Sequence, residues 1–311
     1  MPGIDRTLIL TGPALVTFGG QSFWSKGDVS VNLNTKRFKV DTAHFGQVDE
    51  RVSDRSVEVS FEPDGRFTSA LAAVLWPYAA TAIGASIYGS ADRPLVIWAR
   101  DGQKLTLPNA SVTGMPNLRL GVSKTIMGPI KFTGLLAKNT QPETPGGYYT
   151  LANASYPGDT GYAVSDILTK PYASAWGNSP WDAFFTEDGW DISFGLQLAP
   201  QVVDNFGTVD MRLQGLTVSA KAVPVGPAET EILSKMLPNS ALGNSIAAAA
   251  SALNISVSGI YVRVYNAGIV DSGLTFGAQK KRISATEWMA TRTVTAGTAD
   301  PLFYVGTSAP A

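Results

Sequence analysis

Apolar and polar residues alternate with a period of two at several places along the chain. Val29, Val31 and Leu33 alternate with Ser30, Asn32 and Asn34, and Val57, Val59 and Phe61 alternate with Ser56, Glu58, Ser60 and Glu62. That is the pattern of strands with one wet face. Between them, Thr35 to Asp54 is rich in Lys, Arg and Asp and lacks apolar alternation, which predicts a long loop or projecting hairpin. After Pro63 the alternation stops. Thr68 precedes an Ala- and Leu-rich run through Leu71, Val74 and Leu75 to Trp76, and Pro77 follows, so a short capped helix is predicted there. Glu229 to Leu237 predicts a second such helix, and the Ala-dominated run from Ile246 to Leu253 predicts an extra helix or a packed turn. Strand patterns resume at Leu95 to Trp98, Leu105 with Leu107, Leu118 with Leu120 and Val122, and Ile130 with Phe132. They return at Ile260, Val262 and Val264, at Leu274 with Phe276, and at Ile283 and Trp288. The expected fold is mainly β, an antiparallel sandwich or open barrel with short flanking helices.

The chain also resembles itself. FGQVDERVSDRSVEVSFEP from Phe45 and FGTVDMRLQGLTVSAKAVP from Phe206 share seven identities in nineteen ungapped positions at an offset of 161. Phe45, Gly46, Val48, Asp49, Arg51, Val57 and Pro63 fall on Phe206, Gly207, Val209, Asp210, Arg212, Val218 and Pro224. Chance composition gives about one identity over such a block. Pro77 falls on Pro238 at the same offset. Upstream, Asp28 to Leu33 aligns with Asp191 to Leu196 at offset 163, and Thr11 to Gly19 with Thr169 to Gly177 at offset 158. A repeat near 160 residues has the size of a domain and is too long for a solenoid unit. Two tandem copies of one β-module are predicted, over 1–140 and 166–311, with 141–165 as a Pro- and Gly-rich linker. Tyr148, Tyr149 and Tyr156 imply that the region around the linker packs against something.

At 311 residues the chain is long enough for two cores. It has 24 basic and 25 acidic residues, a formal charge of −1, and so no overall basic field to hold duplex nucleic acid. The balance is uneven, with 15 basic and 12 acidic residues up to Thr150 and 9 and 13 from Leu151 on. The halves therefore carry +3 and −4, and oppositely charged halves are expected to meet at intermodule contacts. Met1 to Leu10 lacks the pattern of a secretory signal, and no apolar run is long enough to span a bilayer, which predicts synthesis in the cytoplasm and no membrane partner.

Candidate chemistry is sparse. The absence of Cys removes disulfides and thiolate ligands, and a His-dependent relay or zinc site would have to use His44, the single histidine. Asn205 stands at its counterpart, so a solvated or structural loop residue is the simpler reading. No phosphate-cradling, dinucleotide-binding or zincin motif occurs. Carboxylates cluster at Asp49, Glu50, Asp54, Glu58, Glu62 and Asp64, yet the matching positions of the second half are largely uncharged, which disfavours a paired-carboxylate glycosidase. Trp24, Trp76, Trp98 and Trp288 sit in apolar or alternating segments and read as core. No catalytic residue, metal or cofactor is expected. The charged pair kept in both halves is Asp49 with Arg51 and Asp210 with Arg212, which at a spacing of two share a strand face and suit an ion pair or an interface.

A strand pair brackets a long charged loop, V-D-x-R stands at the loop's exit, a strand ends in E-P, and a helix and hairpins follow. The blocks FWSKGDVSVNL from Phe23 and FGQVDERVSDRSVEVSFEP from Phe45, with their echoes from Trp190 and Phe206, resemble the major tail tube proteins of long, non-contractile-tailed bacteriophages. The resemblance is specific over about 60 residues, and it is to tandem-duplicated members of that family. It implies a structural virion protein of the tail, present in the host cytoplasm during assembly. It also implies homotrimeric, pseudo-hexameric rings stacked into a tube that passes double-stranded DNA during ejection. Four strands per module would close about 24 strands at roughly 4.8 Å spacing into a barrel with a bore on the order of 40 Å. The resemblance further implies tail terminator, tape measure and distal tail proteins as partners. On this reading Phe45, Gly46, Asp49, Arg51, Phe206, Gly207, Asp210 and Arg212 are structural or interface residues, and the segments Asn34 to Asp54 and Leu198 to Gly215 contact adjacent modules or the next ring. A carbohydrate-binding β-sandwich, a glycoside hydrolase, and a single-ring terminator, baseplate or decoration protein remain as alternatives.

Overall fold

The computed structural model describes residues 13–64, 67–121, 126–158, 173–177, 185–225, 242–243, 245–257, 259–273, 283–292, 294–295, 298–299 and 301–310. The helix expected at Glu229 to Leu237 and the strand at Leu274 with Phe276 lie outside these residues.

The described chain is mainly β, built of antiparallel sheets that include a half-barrel. Its most extended features are two long hairpins. Ser30–Thr42 pairs with Gly46–Phe61, and Trp190–Val203 pairs with Gly207–Ala222. The charged stretch from Thr35 to Asp54 is thus a projecting hairpin. Its ladder continues where both faces are wet because cross-strand backbone hydrogen bonds need no buried face. Apolar alternation marks only the base, where Val57, Val59 and Phe61 are buried. Both hairpins form thirteen registered pairs, and each pair of the first recurs in the second 161 residues on, from Ser30↔Ser60 and Asp191↔Lys221 to Thr42↔Gly46 and Val203↔Gly207. The two register shifts of each hairpin recur too, after Lys36 and Gln197 and after Val40 and Gln201. A bulge adds one residue and kinks the ladder, so two bulges at matched positions give the hairpins the same bend. This register corrects the upstream offset of 163 to 161. The two-residue difference is even, so it leaves every side chain on its assigned face.

Gly46–Phe61 continues through Ile130–Leu135 to Asn109–Gly114, giving the order Ser30–Thr42, Gly46–Phe61, Ile130–Leu135, Asn109–Gly114. Its apolar face packs on a six-stranded sheet whose strands include Leu15–Phe18, Gln21–Ser25 and Leu95–Trp98. Phe18 meets Phe132 edge-on at 4.9 Å, and Phe61 stacks on Phe132 at 6.0 Å. Thr150–Asn153, at the expected linker, is an edge strand of that six-stranded sheet, and nearby Tyr148 is buried. Tyr156 lies against Trp24, at 6.0 Å between rings. The predicted helix is present as Ser69–Leu75, with the Thr68 hydroxyl accepting from the Leu71 N–H at 3.0 Å and Trp76 at its end. The Ala-rich run divides into a 3-10 turn, Ile246–Ala249, and the start of the strand Ser251–Val257.

The halves are joined by one strand that breaks and resumes. Asn109–Gly114 is the edge of the first four-stranded sheet, and after Met115 to Asn117 the strand Leu118–Leu120 pairs with Trp190–Val203 as the edge of the next sheet. That sheet continues through Gly207–Ala222 and Thr286–Ala290 to Ile260–Asp271. Buried apolar residues form one cluster running through both halves, from Ala14 to Phe303. The opposite, wetter face of the base of both hairpins carries Ser30, Asn32, Ser56, Glu58, Ser60 and Lys131 on one side and Asp191, Ser193, Thr217, Ser219, Lys221 and Glu287 on the other. Small uncharged residues alternate there with charges of both signs, and Lys131 lies 3.6 Å from Glu58.

Candidate functional site: the hairpin junction

The repeated Phe-Gly-x-Val-Asp-x-Arg segment opens the return strand of each hairpin, and the two occurrences have different surroundings. In the second hairpin it is the joint between halves. The Asp54 carboxylate, at a bulge of the first hairpin, accepts from the Thr208 N–H at 2.8 Å and from the Thr208 hydroxyl at 2.9 Å. Lys36 donates to the same carboxylate at 2.9 Å. Burial pushes Asp54 up, but the Thr208 N–H, the Lys36 ammonium and the Thr208 hydroxyl outweigh it and hold the carboxyl below its ordinary value. Gly207, with φ +69°, leaves room for that carboxylate, because a Cβ there would sit 2.6 Å from Asp54 Oδ1.

One strand register further on, the segment Gly84 to Ile87 lies along Met211 to Leu213. Gly84 N–H donates to Leu213 O at 2.7 Å, Leu213 N–H to Ala85 O at 3.0 Å, and Ile87 N–H to Met211 O at 3.0 Å. Ser86 is the antiparallel partner of Arg212. The Asp-x-Arg side chains reinforce this lap, since the Ser86 hydroxyl donates to Asp210 at 2.6 Å and the Arg212 guanidinium to Gly84 O at 3.3 Å. Neighbouring contacts extend it. Phe194 N–H donates to Asn117 Oδ1 at 3.3 Å, and the Trp76 ring meets Phe194 at 6.1 Å. Gly207 and Thr208 are buried, and Phe206 is half-buried beside Tyr148 and Tyr149 at a cleft of about 580 Å3.

The matching segment of the first hairpin is open. Gly46 to Ser53 is exposed throughout, and Phe45 is 80% exposed at the turn with His44 beside it. The expected Asp-x-Arg ion pair is present here, with Arg51 Nε 3.1 Å from Asp49 Oδ2. The Arg51 hydrogen bond, with the Glu50 N–H, holds the Asp49 carboxyl below its ordinary value. Both bonds stay within one strand. The same motif that bonds across to another element in the second half bonds only along its own strand in the first.

The other candidates are placed as follows. Glu50 lies 3.9 Å from Arg37 and Glu62 3.8 Å from Lys26, so the acidic cluster is spread along Gly46–Phe61 and beyond its end, beside basic residues. Trp24, Trp76 and Trp288 are buried. Sequence reasoning missed Asp54 as a cross-half acceptor and missed Gly84 to Ile87 altogether. Asp54 leaves no repeat signal, because Gly215 stands at its counterpart. The second segment does leave one, since Ala82-Ile83-Gly84-Ala85-Ser86-Ile87 recurs as Ala241-Leu242-Gly243-Asn244-Ser245-Ile246 at offset 159.

The chain matches no protein-family model and no curated protein. The geometry of the junction therefore carries the functional reading.

Proposed function

We propose that this chain is a tail tube protein of a long-tailed phage: two tandem β-modules per chain, three chains per ring, and rings stacked around a channel for DNA. The observation that carries the reading is the pair of hairpins whose thirteen registered pairs and two bulges coincide at an offset of 161. Each base is one end of a four-strand run, and the runs meet where Asn109–Gly114 passes into Leu118–Leu120. A chain then offers eight strands with an open edge at Ser30–Thr42, and three chains offer about 24, enough for a wide barrel. A ring also answers the exposed edge, because a long unpaired strand is a template for pairing, and closure removes it.

The wet face of the runs suits the bore. DNA moving through a long tube has to be excluded from phosphate contacts at every ring, and each added cationic contact would slow it. Ser, Thr and Asn interrupted by paired opposite charges, as at Lys131 and Glu58, form a wall with no cationic stripe. Negative-stain microscopy with native mass tests the reading. Long hollow tubes and a trimeric ring unit are expected, while monomers that bind glycans, or isolated rings under all conditions, would refute it.

A further inference from the structure

The lap between Gly84 to Ile87 and Met211 to Leu213 joins the first half to the second within one chain, and both of its components occur again, among the described residues, without such a lap. The hairpin component recurs as Glu50 to Val52, exposed and bonded only along its own hairpin. The segment component recurs at Leu242 to Ile246, and its described residues keep the local form of the first. Gly243 has φ +85° where Gly84 has φ +87°. Ser245 accepts from the Ala247 N–H at 3.2 Å as Ser86 accepts from the Tyr88 N–H at 3.2 Å. Ile83 is 54% exposed and Leu242, at its counterpart, is fully exposed. Ile87 is buried whereas Ile246 is only half-buried, although its backbone lies against Gly268.

The geometry points to a second copy of this chain as the occupant: Leu242, Gly243, Ser245 and Ile246 of one copy lap onto Glu50 to Val52 of the next, in the register by which Gly84 to Ile87 laps onto Met211 to Leu213. Offsets of 159 and 161 convert the observed Ser86↔Arg212 pair into Ser245↔Arg51 between copies, and convert the Gly84–Leu213 bond into Gly243 N–H to the Val52 carbonyl. Asp49 then receives the Ser245 hydroxyl, and Arg51 turns to the Gly243 carbonyl, as Asp210 and Arg212 do within the chain. One difference is built in. Gly215 stands where Asp54 caps the Thr208 backbone, so the contact between copies lacks that carboxylate and is the weaker of the two joints. Repeating one lap within and between chains makes the steps around a ring nearly equivalent, and the inference rests on the two-module reading above.

Cysteine pairs test it in a chain that has no Cys of its own. Ser86 and Arg212 form a non-hydrogen-bonded antiparallel pair, flanked by the Leu213–Ala85 and Ile87–Met211 bonds, and such pairs bring Cα atoms to about 4.5 Å, within disulfide reach. The double variant Ser86→Cys with Arg212→Cys should close within one chain. Arg51→Cys with Ser245→Cys should instead join chains, giving covalent species that end at a trimer on a non-reducing gel. Leu242→Asp, at an exposed position, should leave the monomer folded and raise the concentration needed for assembly at least tenfold. Absence of interchain disulfide while the control pair closes, or unchanged assembly of Leu242→Asp, overturns the inference. Tubes without that disulfide would overturn this contact and leave the tube reading standing. Covalent trimers that never stack would do the reverse.

Discussion

Replacing Asp54 measures how firmly the second hairpin is held by the first. Asp54→Ala removes the acceptor for the Thr208 N–H at 2.8 Å and its hydroxyl at 2.9 Å, in a site where Thr208 is buried and the Asp54 side chain is 12% exposed. A buried donor left without a partner costs about 1–3 kcal/mol. Lys36 is 72% exposed, so its ion pair adds at most about 1 kcal/mol. The expected loss is about 1–4 kcal/mol in all. With about 2.1 cal/mol/K of unfolding entropy per residue, a cooperative 311-residue chain has about 0.65 kcal/mol/K, so Tm should fall by about 2–6 °C. Asp54→Asn retains an oxygen for the Thr208 N–H and should lose roughly half as much. The folded carboxyl is held below its ordinary 3.8, so its contribution is complete above the unfolded value and is lost as pH falls through the folded value beneath it. The gap between wild type and Asp54→Asn should accordingly narrow below about pH 4. Calorimetry or urea titration from pH 7 down to pH 3 reads both effects. A Tm change in Asp54→Ala under about 1 °C, or a gap that widens on acidification, would refute the reasoning.

Gly46 and Gly207 have nearly equal φ, +68° and +69°, but only Gly207 faces Asp54, so an alanine at Gly46 should cost the isolated chain about 1–2 kcal/mol of backbone strain and one at Gly207 clearly more. Equal losses of Tm would show that the second hairpin is not packed as described. Lysine at Asn32 and at Ser193, one on the wet face of each half, should leave folding unchanged and, once assembled, create salt-sensitive retention of duplex DNA that wild type lacks. Filter binding across a salt series checks it, and retention equal to wild type would remove that face from the channel wall.

The bases of both hairpins and the helix Ser69–Leu75 were legible because they bury one face, and burial writes a period into the residues that pay for it: Val57, Val59 and Phe61 in one case, Leu71 and Leu75 in the other. The strand Asn109–Gly114 was not legible, since Ala110 and Val112 face the core while Asn109 and Ser111 are buried on the other side by hydrogen bonds to Leu136 O and Ile87 O. Polar residues satisfied in that way leave no alternation. For the projecting half of the first hairpin the sequence left loop and hairpin open, because its ladder is made of backbone groups common to every residue.

By itself the sequence determined that strands dominate, that apolar alternation marks the base of the first hairpin, and that Asp49-x-Arg51 has a twin in Asp210-x-Arg212. Tertiary structure alone decided that one twin bonds to Ser86 and Gly84 while the other bonds along its own strand. Identical local residues specify identical local geometry, but a hydrogen bond to a distant segment depends on where the chain has carried that segment, which no short window of residues encodes.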